Sequence, residues 1–300
     1  MVWVIGDKGM LGSEVANALT VAGLEFVGTD RDVDILDPAA LAAFISGKKV
    51  EWIVNCAAYT AVEKAEDEAA LCSRLNVEGP ANIAALASSL GAKLLHISTD
   101  YVFDGTGTRP YLEDDPVAPI GVYGRTKAEG ESRVRELCPG HVIIRTAWLY
   151  GKHGPNFVYT MLKLMRAKER IGVVADQRGT PTHAADLAAA IISVLRSPTA
   201  VYGTFHFTDL GETTWHEFAL AIHRLGREHG ILERDCAVDA LTTAQYPTRV
   251  RRPSYSVLSK DKMVAAFGLS IPSWGSGLED FFIDVTKDLD GMIALSDTAD

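Results

Sequence analysis

Short apolar runs alternate with longer alanine- and leucine-rich segments through about residue 150. VWVIG, EFVGTD, WIVNCAA, KLLHIST and HVIIRTAW lack the polar alternation of half-buried strands, so each predicts a strand covered on both faces. The stretches between them have helical spacing. This alternation predicts an α/β fold built on a parallel sheet with helices on both sides. Further along, the pattern is less regular: FVYTMLKLM, ADLAAAIISVL and the EFALAIHRLGREHG region predict helices, and GTFHFTD a late strand. Loops rich in Pro, Thr and Arg separate them, and the last residues, ALSDTAD, are expected to fray.

Composition narrows the function. A chain of 300 residues, 47% hydrophobic and 23% charged, suits one large α/β domain or two packed ones. The formal net charge of -10 argues against a general nucleic-acid binder, so any anionic ligand must meet a local basic patch. Cys56, Cys72, Cys138 and Cys236 are far apart with no CxxC pair, which suggests idle thiols in a reducing cytosol and neither a zinc site nor a disulfide framework. No apolar run approaches the roughly 20 residues that span a bilayer, and VWVIG begins directly after Met1. The expectation is a cytoplasmic protein with no membrane and no nucleic-acid partner.

The first chemical signal is Gly6-Asp7-Lys8-Gly9-Met10-Leu11-Gly12, between the opening strand and the helical SEVANALTVAG. Glycines there let the chain turn tightly and let a diphosphate approach, while the helix N-terminus offers N–H donors and partial positive charge. The second strand ends at Asp30, placed to accept hydrogen bonds from an adenosine ribose, which favours NADH. The adjacent Arg31 can instead hold the 2′-phosphate of NADPH.

The second signal is Tyr123-Gly-Arg-Thr-Lys127. Residues four apart share a helix face, so the Lys127 ammonium is expected near the Tyr123 phenol. A positive neighbour stabilises phenolate and is expected to lower the tyrosine pKa from about 10 toward the range useful for proton transfer. A third signal is HISTDYVFDG, where an apolar strand runs straight into Ser98, Thr99, Asp100 and Tyr101. The C-terminal end of a parallel strand is where such sheets bind ligands.

With GDKGMLG, VNCAAYTAVEKAE, LNVEGPANIA, HISTDYVFDG, VYGRTKAEGE, RTAWLYG, ADQRGTPT and YPTRVRRPSYSVL, the chain resembles the extended short-chain dehydrogenase/reductases, and among them the dTDP-4-dehydrorhamnose reductases, over nearly its whole length. The resemblance implies reduction of the 4-keto group of dTDP-4-dehydro-6-deoxy-L-mannose by NADPH or NADH, giving dTDP-L-rhamnose for cell-surface polysaccharide. It also implies a Rossmann-type doubly wound parallel sheet with a smaller mixed α/β substrate domain. Residues 1–151 and about 181–209 are expected to form the cofactor domain, and about 152–180 with 210–300 the sugar-nucleotide domain.

In that family Thr99, Tyr123 and Lys127 correspond to the catalytic triad: Tyr123 protonates the carbonyl oxygen, Thr99 hydrogen-bonds it, and Lys127 tunes Tyr123 and holds the nicotinamide ribose. Cofactor contacts are implied at Gly6, Lys8, Gly9, Met10, Leu11, Gly12, Asp30, Arg31, Asp34, Ile35, Ala57, Ala58, Tyr59 and Asn76, the last also helping to seat the lysine. Asp100 and Tyr101 correspond to sugar contacts, Trp148 to a wall for the hexose, and Arg252 to a nucleotide contact. Some members dimerise through magnesium held by glutamates; Glu14 matches one, but Ala185 stands where another is expected. A monomer or homodimer without a catalytic metal is therefore expected. A 4,6-dehydratase would keep a glutamate where Tyr101 stands, and a non-catalytic NADP-binding regulatory subunit would not need the Thr99, Tyr123 and Lys127 set.

Overall fold

The five apolar runs and the late GTFHFTD segment build one parallel sheet. In the computed structural model, which describes residues 1–286 apart from residues 200 and 247, they are β1 (Val2–Ile5), β2 (Phe26–Thr29), β3 (Trp52–Asn55), β4 (Lys93–Thr99), β5 (His141–Thr146) and β6 (Gly203–His206). ALSDTAD lies outside the described residues. The sheet order is β6-β5-β4-β3-β1-β2, with every pairing parallel.

Successive residues of each strand point to opposite faces, and both faces are buried, which explains the unbroken apolar runs. Val2, Val4, Trp52, Val54, Leu95, Val142 and Ile144 form one core with helices α1 (Met10–Val21) and, later in the chain, Ala184–Arg196. Trp3, Ile5, Ile53, Leu94 and Ile143 form the other, under α2 (Pro38–Ile45) and the later helices Gly79–Leu90 and Val122–Leu137. The predicted doubly wound α/β architecture is therefore present.

Two helices matter most for the site. The first is nearly continuous from α3 (Ala69–Ser73) through a π-helical turn at Arg74–Glu78 into α4 (Gly79–Leu90). The second, α5 (Val122–Leu137), packs on it so closely that a Cβ at Gly130 would sit 2.0 Å from the Asn76 carbonyl oxygen. At its other end a Cβ at Gly124 would lie 2.2 Å from the Tyr101 carbonyl oxygen. These two glycines bring the Tyr123-to-Lys127 face of α5 against the end of β4.

A buried ion pair fixes the same helix to the sheet. Glu131 of α5 accepts two hydrogen bonds from Arg145 of β5, at 2.8 and 2.7 Å, and one from the Ser98 hydroxyl at 2.6 Å. Ser98 and Arg145 are register partners across β4 and β5, so the carboxylate bridges neighbouring strands. Ser98, the first of the four consecutive polar residues from Ser98 to Tyr101, thus anchors the scaffold.

A separate apolar cluster draws on residues 150–173 and 215–285, including Tyr150, Met161, Phe218 and Phe281. It is built by α6 (Phe157–Ala167), α8 (Trp215–Glu228) and α10 (Trp274–Thr286), while α7 (Ala184–Arg196) and α9 (Asp261–Phe267) lie against the sheet core through residues such as Leu187 and Met263. Its strands are short: Arg170–Val174 pairs parallel with Ala237–Leu241, Leu149–Tyr150 with Thr182–His183, and Arg178–Gly179 antiparallel with Thr213–Thr214.

Candidate active site

The sheet order reverses between β1 and β3, and ligands of open parallel sheets bind in the crevice this creates at the strands' C-terminal ends. The glycine loop occupies that position. Gly6 has φ +81°, and a Cβ there would meet the Ala57 backbone nitrogen at 2.9 Å. A Cβ on Gly12 would come within 1.9 Å of the Gly6 carbonyl oxygen, so helix and loop can approach this closely only with glycine. Helix α1 starts from Gly9 with no side-chain cap and no acidic residue in its first turn. Its leading N–H groups, among them those of Met10 and Leu11, are thus available to a diphosphate, and the loop fits a dinucleotide. Lys8 is exposed beside it.

The flanking loops place the other implied cofactor residues around this cradle. Asp30 follows β2, its N–H held by Asp32 Oδ1 at 2.7 Å, with Arg31 exposed next to it. Asp34 caps the following turn by accepting from the Leu36 N–H. Ile35 and Leu11 put their side chains into the core, so each has only main chain to offer a ligand. On the other side, Ala57 receives order from Asn55, whose Oδ1 accepts the Ala57 N–H at 3.0 Å while its Nδ2 meets His96 Nδ1. Ala58 lies between Ala57 and Tyr59, half-buried.

Asn76, carried by the π-helical turn, ties this loop to α5. Its Oδ1 accepts the Tyr59 N–H at 2.9 Å, and its Nδ2 reaches the Tyr59 carbonyl and the Thr126 hydroxyl, both at 3.2 Å. π-Turns often mark functional positions, because the extra residue redirects side chains. Asn76 therefore touches the residue before Lys127 and not the lysine itself. Tyr59 and Tyr123 share one small apolar cluster, so the loop after β3 and the start of α5 are packed neighbours.

At the end of β4, Thr99, Asp100, Tyr101 and Tyr123 converge. Thr99 Oγ1 donates to Asp100 Oδ1 at 2.9 Å and accepts the Tyr101 N–H at 3.2 Å. Tyr101 and Tyr123 meet edge to face, with ring centroids 5.6 Å apart. Burial raises the Asp100 carboxyl to about 6, partly offset by the Thr99 and Ser256 hydroxyls, and burial also pushes Tyr101 up to about 12.

The pKa of Tyr123 corrects an expectation. Burial drives its phenol above the ordinary value, opposed by the Thr99 hydroxyl beside it, instead of Lys127 lowering it. The lysine is buried one helical turn away and donates to the Ile97 carbonyl at 2.7 Å, and desolvation lowers its own pKa to about 8. Tyr123 is consequently a protonated phenol at neutral pH, the form a proton donor needs.

Arg252 lies beside Tyr101, where its guanidinium lowers that phenol, and pairs with Glu63 at 2.9 Å. The same segment is tied down by a two-bond pair from Arg249 to Asp67. Trp148 departs from the rest. It is the single non-glycine residue with positive φ among the described residues, at 47°, and its indole stacks on Trp215 with centroids 3.5 Å apart. Its ring contacts belong to the second apolar cluster.

Sequence reading missed Asn55, Glu66 and Glu131. Glu66 Oε1 accepts the Val122 N–H at 2.8 Å and so caps α5, whose own N-cap is glycine. Only Glu131 left a trace, four residues after Lys127. Among the described residues no group of three His, Cys, Asp or Glu side chains is placed to hold a metal ion, and no helix is long and apolar enough to cross a membrane.

The family described as the RmlD substrate binding domain matches residues 1–287. A dTDP-4-dehydrorhamnose reductase from Aggregatibacter actinomycetemcomitans is 38% identical over 282 residues, 92% of this chain and 96% of its own length. A probable dTDP-4,6-dihydroxy-2-methyloxan-3-one 4-ketoreductase from Streptomyces antibioticus is 40% identical over 289 residues, 95% of this chain and 96% of the relative. The crystal structure of the dTDP-4-dehydrorhamnose reductase from Bacillus anthracis in complex with NADP superposes with a TM-score of 0.89 at 37% identity, covering 94% of this chain and 98% of that one. The chain belongs to the dTDP-4-dehydrorhamnose reductase family.

Proposed function

We propose that this protein reduces the 4-keto group of dTDP-4-dehydro-6-deoxy-L-mannose to give dTDP-L-rhamnose, for cell-surface polysaccharide synthesis. The observation that carries the reading is the convergence of Thr99, Tyr101 and Tyr123 at the end of β4, one helical turn from Lys127 and beside the glycine cradle. NADPH is the favoured cofactor, with Arg31 available for its 2′-phosphate, and the NADP bound to the Bacillus anthracis relative supports that choice.

When bound, the reduced nicotinamide supplies the hydride for the sugar's C4. Tyr123 holds the proton for the carbonyl oxygen; its raised pKa keeps that proton in place until charge builds on the oxygen. Thr99, fixed by Asp100 and the Tyr101 N–H, adds a hydrogen bond to the same oxygen. Lys127 spends one of its three N–H donors on Ile97 and has two for the ribose and the phenol. Gly6, Lys8, Gly9, Met10, Leu11 and Gly12 hold the diphosphate of the cofactor, and Asp30, Arg31, Asp34 and Ile35 the adenosine end. Ala57, Ala58 and Tyr59 line the cofactor, with Asn76 fixing that loop. Asp100 and Tyr101 take sugar hydroxyls, Trp148 the hexose face, and Arg252 the nucleotide diphosphate once it leaves Glu63.

The division into a cofactor part (1–151 and about 181–209) and a substrate part (about 152–180 and 210–300) belongs to this reading. The separate cluster from residues 150–173 and 215–285 supports it, although Met263 and Ile271 pack into the sheet core. A cytoplasmic monomer or homodimer goes with it; all four cysteines are free thiols.

The similarity to the Streptomyces antibioticus relative favours one second reading, a reductase of another dTDP-linked 4-keto-6-deoxyhexose. Turnover with NADPH and with NADH, followed by NMR of the product, separates the two. The proposal expects faster oxidation of NADPH than of NADH and the manno configuration at C4; no turnover of this sugar beside turnover of another dTDP-linked 4-keto-6-deoxyhexose would support the second reading.

A further inference from the structure

Trp148 is held in a costly conformation by contacts that nothing in the reaction chemistry requires of them individually. A bulky residue with φ of 47° is a genuine outlier, and such strain persists only where the surroundings over-determine it. Three contacts do so. Its carbonyl accepts the Thr182 N–H at 3.2 Å. Its indole edge lies against Gly179, where a Cβ would be 2.5 Å from Cε2 and 2.8 Å from Nε1, so no other residue fits without moving the ring. Its face stacks on Trp215 at 3.5 Å with only 10° between the planes.

Trp215 is itself firmly placed. It is the first residue of α8, which carries a complete capping box between Thr214 and Glu217. The preceding Thr213 and Thr214 pair with Gly179 and Arg178, so the strand that backs the Trp148 edge also carries Trp215. On its far side Trp215 packs on Phe157, with centroids 4.5 Å apart, and Phe157 stacks on the fully buried Phe218. An aromatic column thus runs from the core of the second cluster out to Trp148.

The position of Trp148 relative to the reacting end is also fixed. It follows β5 by two residues after Thr146, the register partner of Thr99. Arg178 bridges to Tyr255, whose neighbour Ser256 lies by the Asp100 carboxylate. The strand and loop around Trp148 are therefore continuous with the sugar side of the site.

We propose that Trp215 is a positioning residue for sugar binding: it holds the Trp148 indole, by face-to-face stacking against the Gly179 backstop, as a rigid apolar wall for the deoxyhexose. The inference rests on the function proposed above and on Trp148 as its wall. A 6-deoxyhexose has a methyl group in place of the hydroxymethyl group at C5, and an immobilised indole suits that apolar face at low entropic cost.

The test is steady-state kinetics of full-length Trp148→Ala, Trp215→Ala and Trp215→Phe beside the wild type, varying sugar nucleotide and NADPH separately, with a thermal melt for each. The expected result is a sugar-nucleotide KM raised about tenfold in Trp215→Ala, the equivalent of about 1.4 kcal/mol. That rise should match Trp148→Ala, recover to within about threefold in Trp215→Phe, and leave the KM for NADPH unchanged. A Trp215→Ala enzyme with unaltered sugar KM, beside a Trp148→Ala enzyme with a raised one, would overturn the positioning role alone. Unaltered KM in both would overturn the wall as well, and wild-type protein without turnover would instead count against the proposed reaction. If Trp215→Ala proves insoluble, Trp215→Phe against Trp215→Leu supplies the same contrast, a KM kept by the aromatic ring and lost without it.

Discussion

At the scale of single residues, the proposed proton chemistry rests on a half-buried phenol and a buried ammonium whose pKa values move in opposite directions. Burial holds Tyr123 above its ordinary value and brings Lys127 down to about 8, because desolvation disfavours the charged form of each. The ammonium is present below pH 8 and lost above it, while the phenol keeps its proton throughout that range. The pH profile of kcat/KM should therefore be level near neutrality and fall on the alkaline side with a midpoint near 8. A midpoint well above 8 would take the limb away from Lys127. Tyr123 and Lys127 were legible in the sequence because a helix places residues four apart on one face. The direction of the tyrosine shift was not legible, since it depends on how deeply the phenol is buried and on Ile97 claiming the lysine.

At the scale of elements, α5 must be set against the sheet closely enough for its first turn to meet the end of β4. Gly124 and Gly130 permit the approach, Glu66 caps the helix from another loop, and Glu131 locks it to Arg145 and Ser98. Both Glu131 and Arg145 side chains are essentially without solvent contact. Removing one charge from such a pair strands the other, which costs about 3–5 kcal/mol. Urea denaturation of Glu131→Gln should show a loss of that order, while Arg133→Gln, whose partner Glu136 is exposed, should change stability by less than about 1 kcal/mol. Equal, small losses would remove Glu131 from its anchoring role. The sequence marked α5 as a helix but concealed these supports. Glu66 and Asn76, on its π-helical turn, reach α5 across 56 and 50 residues of chain, and Asn55 reaches His96 across 41, distances that no local pattern encodes.

Across the whole molecule, the parallel sheet was readable because both its faces are buried and its strands are uniformly apolar. The second part was readable only as helices. Two of its strand pairs, such as Leu149–Tyr150 with Thr182–His183, are only two residues long and owe their order to tertiary packing, not to periodicity. Beside the Thr182–His183 strand, Asp209 accepts the His183 N–H, and burial, with the Asp186 carboxylate adding, raises it to about 8. An unfolded aspartate titrates near 4, so the native state holds this proton between about pH 4 and 8 and gives up its advantage as pH rises through that interval. The wild type should accordingly lose melting temperature between about pH 5 and 8, and Asp209→Asn, which keeps an acceptor without the charge, should lose less. Parallel curves for the two proteins would contradict the raised value.

All three scales bear on one claim, that the fold assembles a tyrosine acid for reduction of a nucleotide-linked 4-keto sugar. The most direct measurement is kcat for NADPH oxidation with dTDP-4-dehydro-6-deoxy-L-mannose by the wild type and Tyr123→Phe in parallel. The account predicts steady turnover by the wild type and a fall of about 10²–10⁴-fold in the variant; no wild-type turnover, or a variant as fast as the wild type, would contradict it.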